Sequence, residues 1–487
     1  MSNIFENKGA LAKTIVVAAS NSLNQGQANY VCDGVNDEVE IQAALDALPA
    51  TGGEVLLLDG TYNIEVLLVM DSHQTLRGCG YNTVFTTSSA LSGVITAVGG
   101  AGTEKVGIIV ADLRIDGASI AYAGIYWDYV DNSEVRNVWV HDCIGNMGVT
   151  EWGGIQLLNC DFDKLIGNRS YDNRLYGIQL GDLLGSAGPC TEILIEANTC
   201  QGNGEGGIWL YTSNNNTVTG NTCQGNPTGI YLDTSSNNTV TGNTCQGNGR
   251  DGISLDASSN NTVTGNTCTE NSQTTTNTWD DISLDSSDYN NVQCNTCRAG
   301  ALANKPRYGI NVSNAACDGN VVIDNDLYND GFGTAPFSDA GTGTKLNTYK
   351  VPFSNGSDPQ DSGFLIDAAA EMARAWLRLP NKVVQVVRAK VYARSGVLEA
   401  DHMRGEFVIY GGADNEAYNT HDGSVANHPT DSVNFAANDI IFWTIATAGL
   451  LAMVGGDSIE VKAIYELAGN GDCATNAYLR TVEIEYV

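Results

Sequence analysis

Apolar residues in the middle of this chain come in short bursts on alternate positions, as in Ile208/Leu210, Ile230/Leu232, Ile253/Leu255 and Ile282/Leu284, with polar Asn, Thr, Ser and Gly filling the intervals. Alternation over so few residues is the pattern of a short strand with one buried face, and no helical period competes with it there. The bursts align into three columns. One holds His141, Asn168, Asn198, Asn221, Asn243, Asn266, Asn295 and Asn325; two places further on run Cys143, Ser170, Cys200, Cys223, Cys245, Cys268, Cys297 and Leu327. The third is mostly a Gly-Ile pair, beginning at Gly124, Gly154, Gly177, Gly207, Gly229, Gly252 and Gly309, with Asp281 replacing one glycine. The phrase Asn221-Thr222-Cys223-Gln224-Gly225-Asn226 returns after 22 residues and, altered, after a further 23. That period signals a solenoid. About 22 residues with three short strands and Asn/Gly turns make one rung of a parallel β-helix, and eight rungs are legible in this way.

The columns predict roles. The asparagines suit left-handed turn positions, with their amides hydrogen-bonding from rung to rung. The cysteines read as small interior hydrophobes. Rungs about 4.8 Å apart would bring them within disulfide reach. The odd total of 13 cysteines and the lack of a secretion signal nonetheless favour free thiols. A column of parallel thiols does not converge tetrahedrally, which argues against zinc.

Ahead of the rungs, Asp37 and Glu40 have capping-box spacing, and Ile41, Ala44, Leu45 and Leu48 form the stripe of a short amphipathic helix ended by Pro49. This helix is expected to plug the open end of the solenoid, within an amino-terminal cap over residues 1–53. The run Cys32-Asp33-Gly34-Val35-Asn36-Asp37-Glu38-Val39-Glu40-Ile41-Gln42-Ala43-Ala44-Leu45, with Gly52-Gly53-Glu54-Val55 and Leu58-Asp59-Gly60-Thr61-Tyr62 after it, resembles the amino-terminal signature of pectate-lyase-like right-handed β-helix proteins. With the rungs, the likeness spans roughly residues 28–330. It implies the fold far more firmly than an activity, because that superfamily includes lyases, hydrolases, epimerases and phage tailspikes.

The β-helix is expected over 54–330 and a Gly/Ser/Thr/Asn/Pro-rich connection over 331–375. Alternation resumes at 387–394, 459–466 and 482–486, with further strands expected at 404–410 and 438–446. Five or more half-buried strands predict a jelly-roll-like β-sandwich over 376–487. A β-helix followed by a sandwich resembles phage tailspikes and other virion surface proteins, which implies a homotrimer. The apolar carboxyl-terminal strand ending at Val487 fits an oligomer contact.

A net charge of −32 with only 24 basic residues disfavours nucleic acid and anionic membranes, which such a surface repels. It also slows approach to a highly anionic polysaccharide and leaves neutral glycans easier. No stretch of 18 apolar residues predicts membrane insertion. A virion or extracellular setting without a signal peptide fits release by lysis.

The strands following the glycine column turn alternate side chains outward: Tyr126/Asp128, Gln156/Leu158, Gln179/Gly181, Trp209/Tyr211, Tyr231/Asp233, Ser254/Asp256, Ser283/Asp285 and Asn311/Ser313. The gap ahead of this column lengthens to 11 residues at Cys143–Gly154, 13 at Cys268–Asp281 and 12 at Cys297–Gly309. Those loops should wall a depression floored by Gln179, Trp209, Tyr231, Asp233, Ser254 and Asp256, a shape suited to a linear glycan. Trp209, Tyr211 and Tyr231 are the expected sugar-stacking rings, with Gln179 beside them. Asp233, Asp256 and Asp285 are the candidate catalytic carboxylates. Neighbours would stand about 5 Å apart, as in a retaining glycosidase, and Asp233 with Asp285 would approach the inverting range. The plain alternatives are ordinary strand residues and a solvated acidic ladder.

A lyase or epimerase needs a base, and Arg169, Arg174 and Arg250 do not stand obviously beside the aspartates, while His141 reads as a turn residue. No cofactor is expected, although Asp280, Asp281, Asp285 and Asp288 allow a weak calcium reading. Two functions follow: a glycan-binding spike or fibre on a virion or cell surface, or a polysaccharide lyase or glycoside hydrolase working in the groove.

Overall fold

The computed structural model describes residues 13–346 apart from 146–151, 182–187 and 328–330, and beyond them the backbone of strands lying between 345 and 486. The first of its two compact units is a right-handed parallel β-helix. Each rung contributes one strand to each of three sheets. A middle rung places Thr217–Thr219 in sheet I, Thr222–Gln224 in sheet II and Thr228–Asp233 in sheet III. Sheet II has 10 strands and sheet III has 11. Sheet III thus extends past the eight legible rungs, adding Leu68–Val69 and Ile95–Val98 before them and Ala335–Asp339 after, the last inside the stretch read as a connection.

Register is letter for letter. Cys200 pairs with Cys223, Cys223 with Cys245, Cys245 with Cys268 and Cys268 with Cys297, while Ile208, Ile230, Ile253 and Ile282 stack in sheet III. The columnar thiols are fully buried and unpaired by disulfides. Glycine is required beside them because the next rung passes so close. A Cβ added to Gly229 would stand 2.4 Å from the Gly252 carbonyl oxygen, and one on Gly207 would stand 2.9 Å from the Cys223 sulfur. Small residues on both sides let the coil close tightly at this corner.

One asparagine column was read from the sequence, but the described residues of the coil show three. In the expected one, Oδ1 of Asn243 accepts from both Nδ2 and the backbone N–H of Asn221, each at 2.9 Å, and Nδ2 of Asn243 donates to Val218 O. A second ladder runs through Asn203, Asn226, Asn248 and Asn271, and a third through Asn216, Asn238, Asn261 and Asn290. The left-handed backbone falls one residue before the expected column, at Gly220, Gly242 and Gly265. The inward asparagine keeps ordinary backbone, and glycine absorbs the corner without a Cβ penalty.

The lowest rung of the alignment also shifts. Val138 faces the Asn168 amide and Val140 pairs with Ser170, whereas His141 pairs with Tyr171 on the outer face and Cys143 meets the second ladder at Asn173. Aligning on polarity alone slipped this rung by three places.

The helix Glu38–Asp46 buries Ile41, Ala44 and Leu45 and packs on strands Lys13–Ala18, Gly53–Leu57 and Leu68–Val69. Strand Lys13–Ala18 already pairs in parallel with Gly53–Leu57, so sheet I begins ahead of the helix. No capping box forms. Asp37 instead accepts from Gly34 N and Asn63 N, tying the entry loop to the first coil.

In the second unit the terminal strand Ala477–Tyr486 lies between Lys345–Pro352 and Val386–Ser395, antiparallel to both, and Ile440–Ile445 extends this group. A second antiparallel group joins Met372–Arg378, Ser458–Leu467, Met403–Gly412 and His421–Ser424. The strands expected from alternation are all present. The packing that would make them a sandwich rests on side chains outside the described residues.

Candidate functional site

Outward side chains of sheet III stack as the alternation requires: Tyr126, Gln156, Gln179, Trp209, Tyr231, Ser254, Ser283 and Asn311 in one column, Asp233, Asp256 and Asp285 in the next. A pocket of about 470 Å³ opens over the later rungs. Its floor is Tyr231, Ser254, Asp256, Ser283, Asp285 and Asn311, and its rim carries Arg250, Trp279 and Arg307. Trp279 and Arg307 come from the two later insertions, while 146–151 of the first insertion lie outside the described residues.

The floor therefore starts two rungs beyond the expected one. Gln179 is fully buried and Trp209 is 1 % exposed. The Trp209 ring is stacked between Tyr176 at 4.4 Å and Tyr231 at 6.2 Å, with Tyr211 tilted against it at 5.4 Å. Outward orientation does not ensure exposure, because Tyr176, the first residue of the preceding strand Tyr176–Leu180, folds over the tryptophan. Tyr231 remains half-buried and lines the pocket, and Tyr211 packs against Trp209 outside it. Asp233 adjoins Asp256 in register but is not among the residues that line the pocket.

Electrostatics single out Asp256. Burial, then the charges of Asp233 and Asp285, push its carboxyl above the ordinary aspartate range. The Tyr231 hydroxyl donates to Asp256 Oδ2 at 3.4 Å, and burial keeps that phenol protonated. At the rim Asp280, itself buried, takes Arg307 Nε and Nη2 at 3.1 and 2.7 Å and Asn311 Nδ2 at 2.9 Å. Burial pushes the Asp280 carboxyl up against the pull of that guanidinium. Asp251, whose Oδ1 accepts from Asp280 N, is pushed up to about 7 by burial and the Asp280 charge. Arg250 lies over the Trp279 ring at 5.6 Å. The arginines thus do reach the aspartate face, contrary to expectation for Arg250.

Residues just ahead of the glycine column, among them Arg250, Asp251, Asp280 and Arg307, form the lip of the pocket. The column itself was the signal that would have found them. Of the four acids named for calcium, Asp280 turns to Arg307 and Asn311, and Asp281 Oδ1 accepts from Asn271. Among the described residues, clusters with metal-ligating spacing lie elsewhere, at Asp116–His141–Asp142 and Cys32–Asp37–Glu40.

The family model of the periplasmic copper-binding protein NosD matches residues 107–276 and 193–348, together just under half of the chain. No curated protein matches. Among solved structures, the A-module of the mannuronan C-5 epimerase AlgE4 of Azotobacter vinelandii is similar at 18 % identity, covering 68 % of this chain and 98 % of that one with a TM-score of 0.50. The enzymatically active domain of tailspike protein 2 of bacteriophage CBA120 is similar at 11 % identity, covering 93 % of this chain and 80 % of that one, again with a TM-score of 0.50. At such identities the likeness is one of fold, and it agrees with the coil and its register: the chain has the right-handed parallel β-helix fold that these tailspike and epimerase structures share.

Proposed function

We propose that this chain is a glycan-binding surface protein of tailspike type, holding a linear glycan across the later rungs of sheet III. The observation that carries the reading is the convergence of Tyr231 and Trp279 with a row of hydroxyl, amide and carboxylate side chains, Ser254, Asp256, Ser283, Asp285 and Asn311, in one elongated pocket. Rings accept the C–H faces of sugars, and the polar row fixes their hydroxyls. Trp209 backs Tyr231 as a stacked ring, with Tyr211 packed against the tryptophan. The similar tailspike and epimerase structures are of proteins named for polysaccharide or virion work, which agrees with this reading. A glycan array with analysis of products tests it. Tyr231→Ala and Trp279→Ala should each weaken binding by about 1–3 kcal/mol, the scale of a lost stacking ring. Unchanged affinity in both, with the glycan bound elsewhere, removes the groove from consideration.

A second reading rests on Asp256. A carboxyl raised by burial between two carboxylates has the character of a general acid, and Asp233 or Asp285 would then serve as nucleophile or base of a glycoside hydrolase. Shortened products from wild type but not from Asp256→Asn decide for it. We further propose a homotrimer on a virion or extracellular surface, held by the antiparallel strands of the second unit. Light scattering after truncation at Pro352 should then show a monomeric β-helix; an unchanged oligomer mass refutes the assignment.

A further inference from the structure

A second cluster of rings and charge lies on a different face, the outside of sheet II in the earlier rungs. Register stacks Arg114, Trp139 and Arg169 in one outer column and Asp116, His141 and Tyr171 in the next. Tyr81, half-exposed in a turn, packs edge-on to Trp139 at 4.5 Å. The Arg114 guanidinium lies 4.5 Å from the Tyr81 ring centre, and that of Arg169 lies 5.0 Å from Trp139 and 4.9 Å from Tyr171. Cations and rings therefore alternate across three rungs.

These arginines are unusual in this chain. Acidic residues outnumber basic ones by 56 to 24, yet neither Arg114 nor Arg169 pairs with a carboxylate among the described residues. By contrast Arg77, Arg136 and Arg307 each hold one. The Nε of each is buried without a hydrogen-bond partner, while both side chains remain half-buried rather than covered. The nearby carboxylates are turned elsewhere: His141 Nδ1 stands 2.7 Å from Asp142 and 3.9 Å from Asp116, its ring stacked on Tyr171 at 4.7 Å. Stacking on rings satisfies the faces of the two guanidinium groups and leaves their edges, which are donors only and suited to an oxyanion.

We propose that this face is a second carbohydrate site, selective for a carboxylated sugar: Arg114 and Arg169 take the carboxylate, and Tyr81 and Trp139 stack on the ring. It is independent of the sheet III groove. The overall negative charge does not forbid it, because at physiological salt screening confines distant charges to about 8 Å and the contacting arginines dominate.

The test is calorimetry on the full chain in 0.15 M salt with oligogalacturonate, maltohexaose and inorganic sulfate as probes. Oligogalacturonate should bind, with affinity falling as salt rises, and maltohexaose should not compete for this face. Arg114→Gln with Arg169→Gln should weaken oligogalacturonate at least about tenfold, and Tyr231→Ala should leave it unchanged. Arg169→Lys, which keeps the charge and the fold but loses the planar fork, should fall between. Absence of oligogalacturonate binding by wild type, equal affinity in the folded double variant, loss in Tyr231→Ala, or sulfate binding as tightly as the oligosaccharide would each overturn the assignment.

Discussion

Two ladders in this molecule repeat nearly the same side chain one rung apart and behave in opposite ways. Inside the coil, Asn221, Asn243 and Asn266 stack with each amide donating to the next at 2.9–3.0 Å. At the edge of sheet III, Asp233, Asp256 and Asp285 stack at the same register, and the charges of its neighbours help raise the middle carboxyl. An amide carries both donor and acceptor, so a column closes on itself. A carboxylate only accepts, so a column of them repels unless a proton or a donor intervenes. One spacing therefore supplies cohesion within and chemical tension without.

The contrast is sharpest at Asn243. Replacing it by alanine removes the acceptor for two Asn221 donors and the donor to Val218 O, all buried. The loss should reach about 3 kcal/mol or more, read from the denaturation midpoint. A cost below about 1 kcal/mol would mean that water or relaxation replaces the ladder. Asp163 tests a carboxylate placed inside: it stands in the third ladder, its Oδ1 accepting from Ser133 N at 2.7 Å, and burial pushes its carboxyl up to about 9. Its folded value exceeds its unfolded one, so the wild type loses stability as pH rises from about 4 to about 9. Asp163→Asn should escape that loss, melting with the wild type near pH 3 and above it at pH 8. Identical gaps at both pH values would contradict burial as the cause. Smallest is Asp256→Asn on the outer ladder, which relieves repulsion at a part-exposed site. Its stability should change by less than about 1 kcal/mol, in the favourable direction above the ordinary aspartate range, as thermal melts at pH 7 would show.

The fold was legible because identical rungs print the same constraint many times. The glycine column, the thiol column and the period-two bursts each reported a contact that recurs at every turn of the coil. At the ends of the array that redundancy disappears. His141 was matched by polarity, and only backbone pairing with Tyr171 corrects it. The groove was half legible for a related reason. Alternation decides that Trp209 points outward, but whether it meets solvent depends on Tyr176, which opens the preceding strand ahead of the Gly-Ile pair and so lies outside the aligned columns. Arg250 and Arg307 were invisible as partners of the aspartates because long side chains cross rungs, and their reach is set by loop shape. The arginine–aromatic face of sheet II was missed because Arg114, Trp139 and Arg169 are never adjacent in the chain.

The near-identity of the rungs between Asn216 and Asn271 has a consequence for how the chain finds its structure. A segment displaced by one whole repeat would still meet Asn with Asn, Cys with Cys and Val with Val, so the central coil tolerates slipped pairings that local contacts scarcely penalise. What removes the degeneracy is the unrepeated matter: the helix Glu38–Asp46 seated at one end, and insertions of unequal length that fit their neighbours in only one frame. The loops that wall the pocket thus also act as the index marks of the coil, and shortening the 13-residue gap at Cys268–Asp281 to the 6 or 7 residues of the regular rungs should slow refolding into a single frame even where the groove is never used.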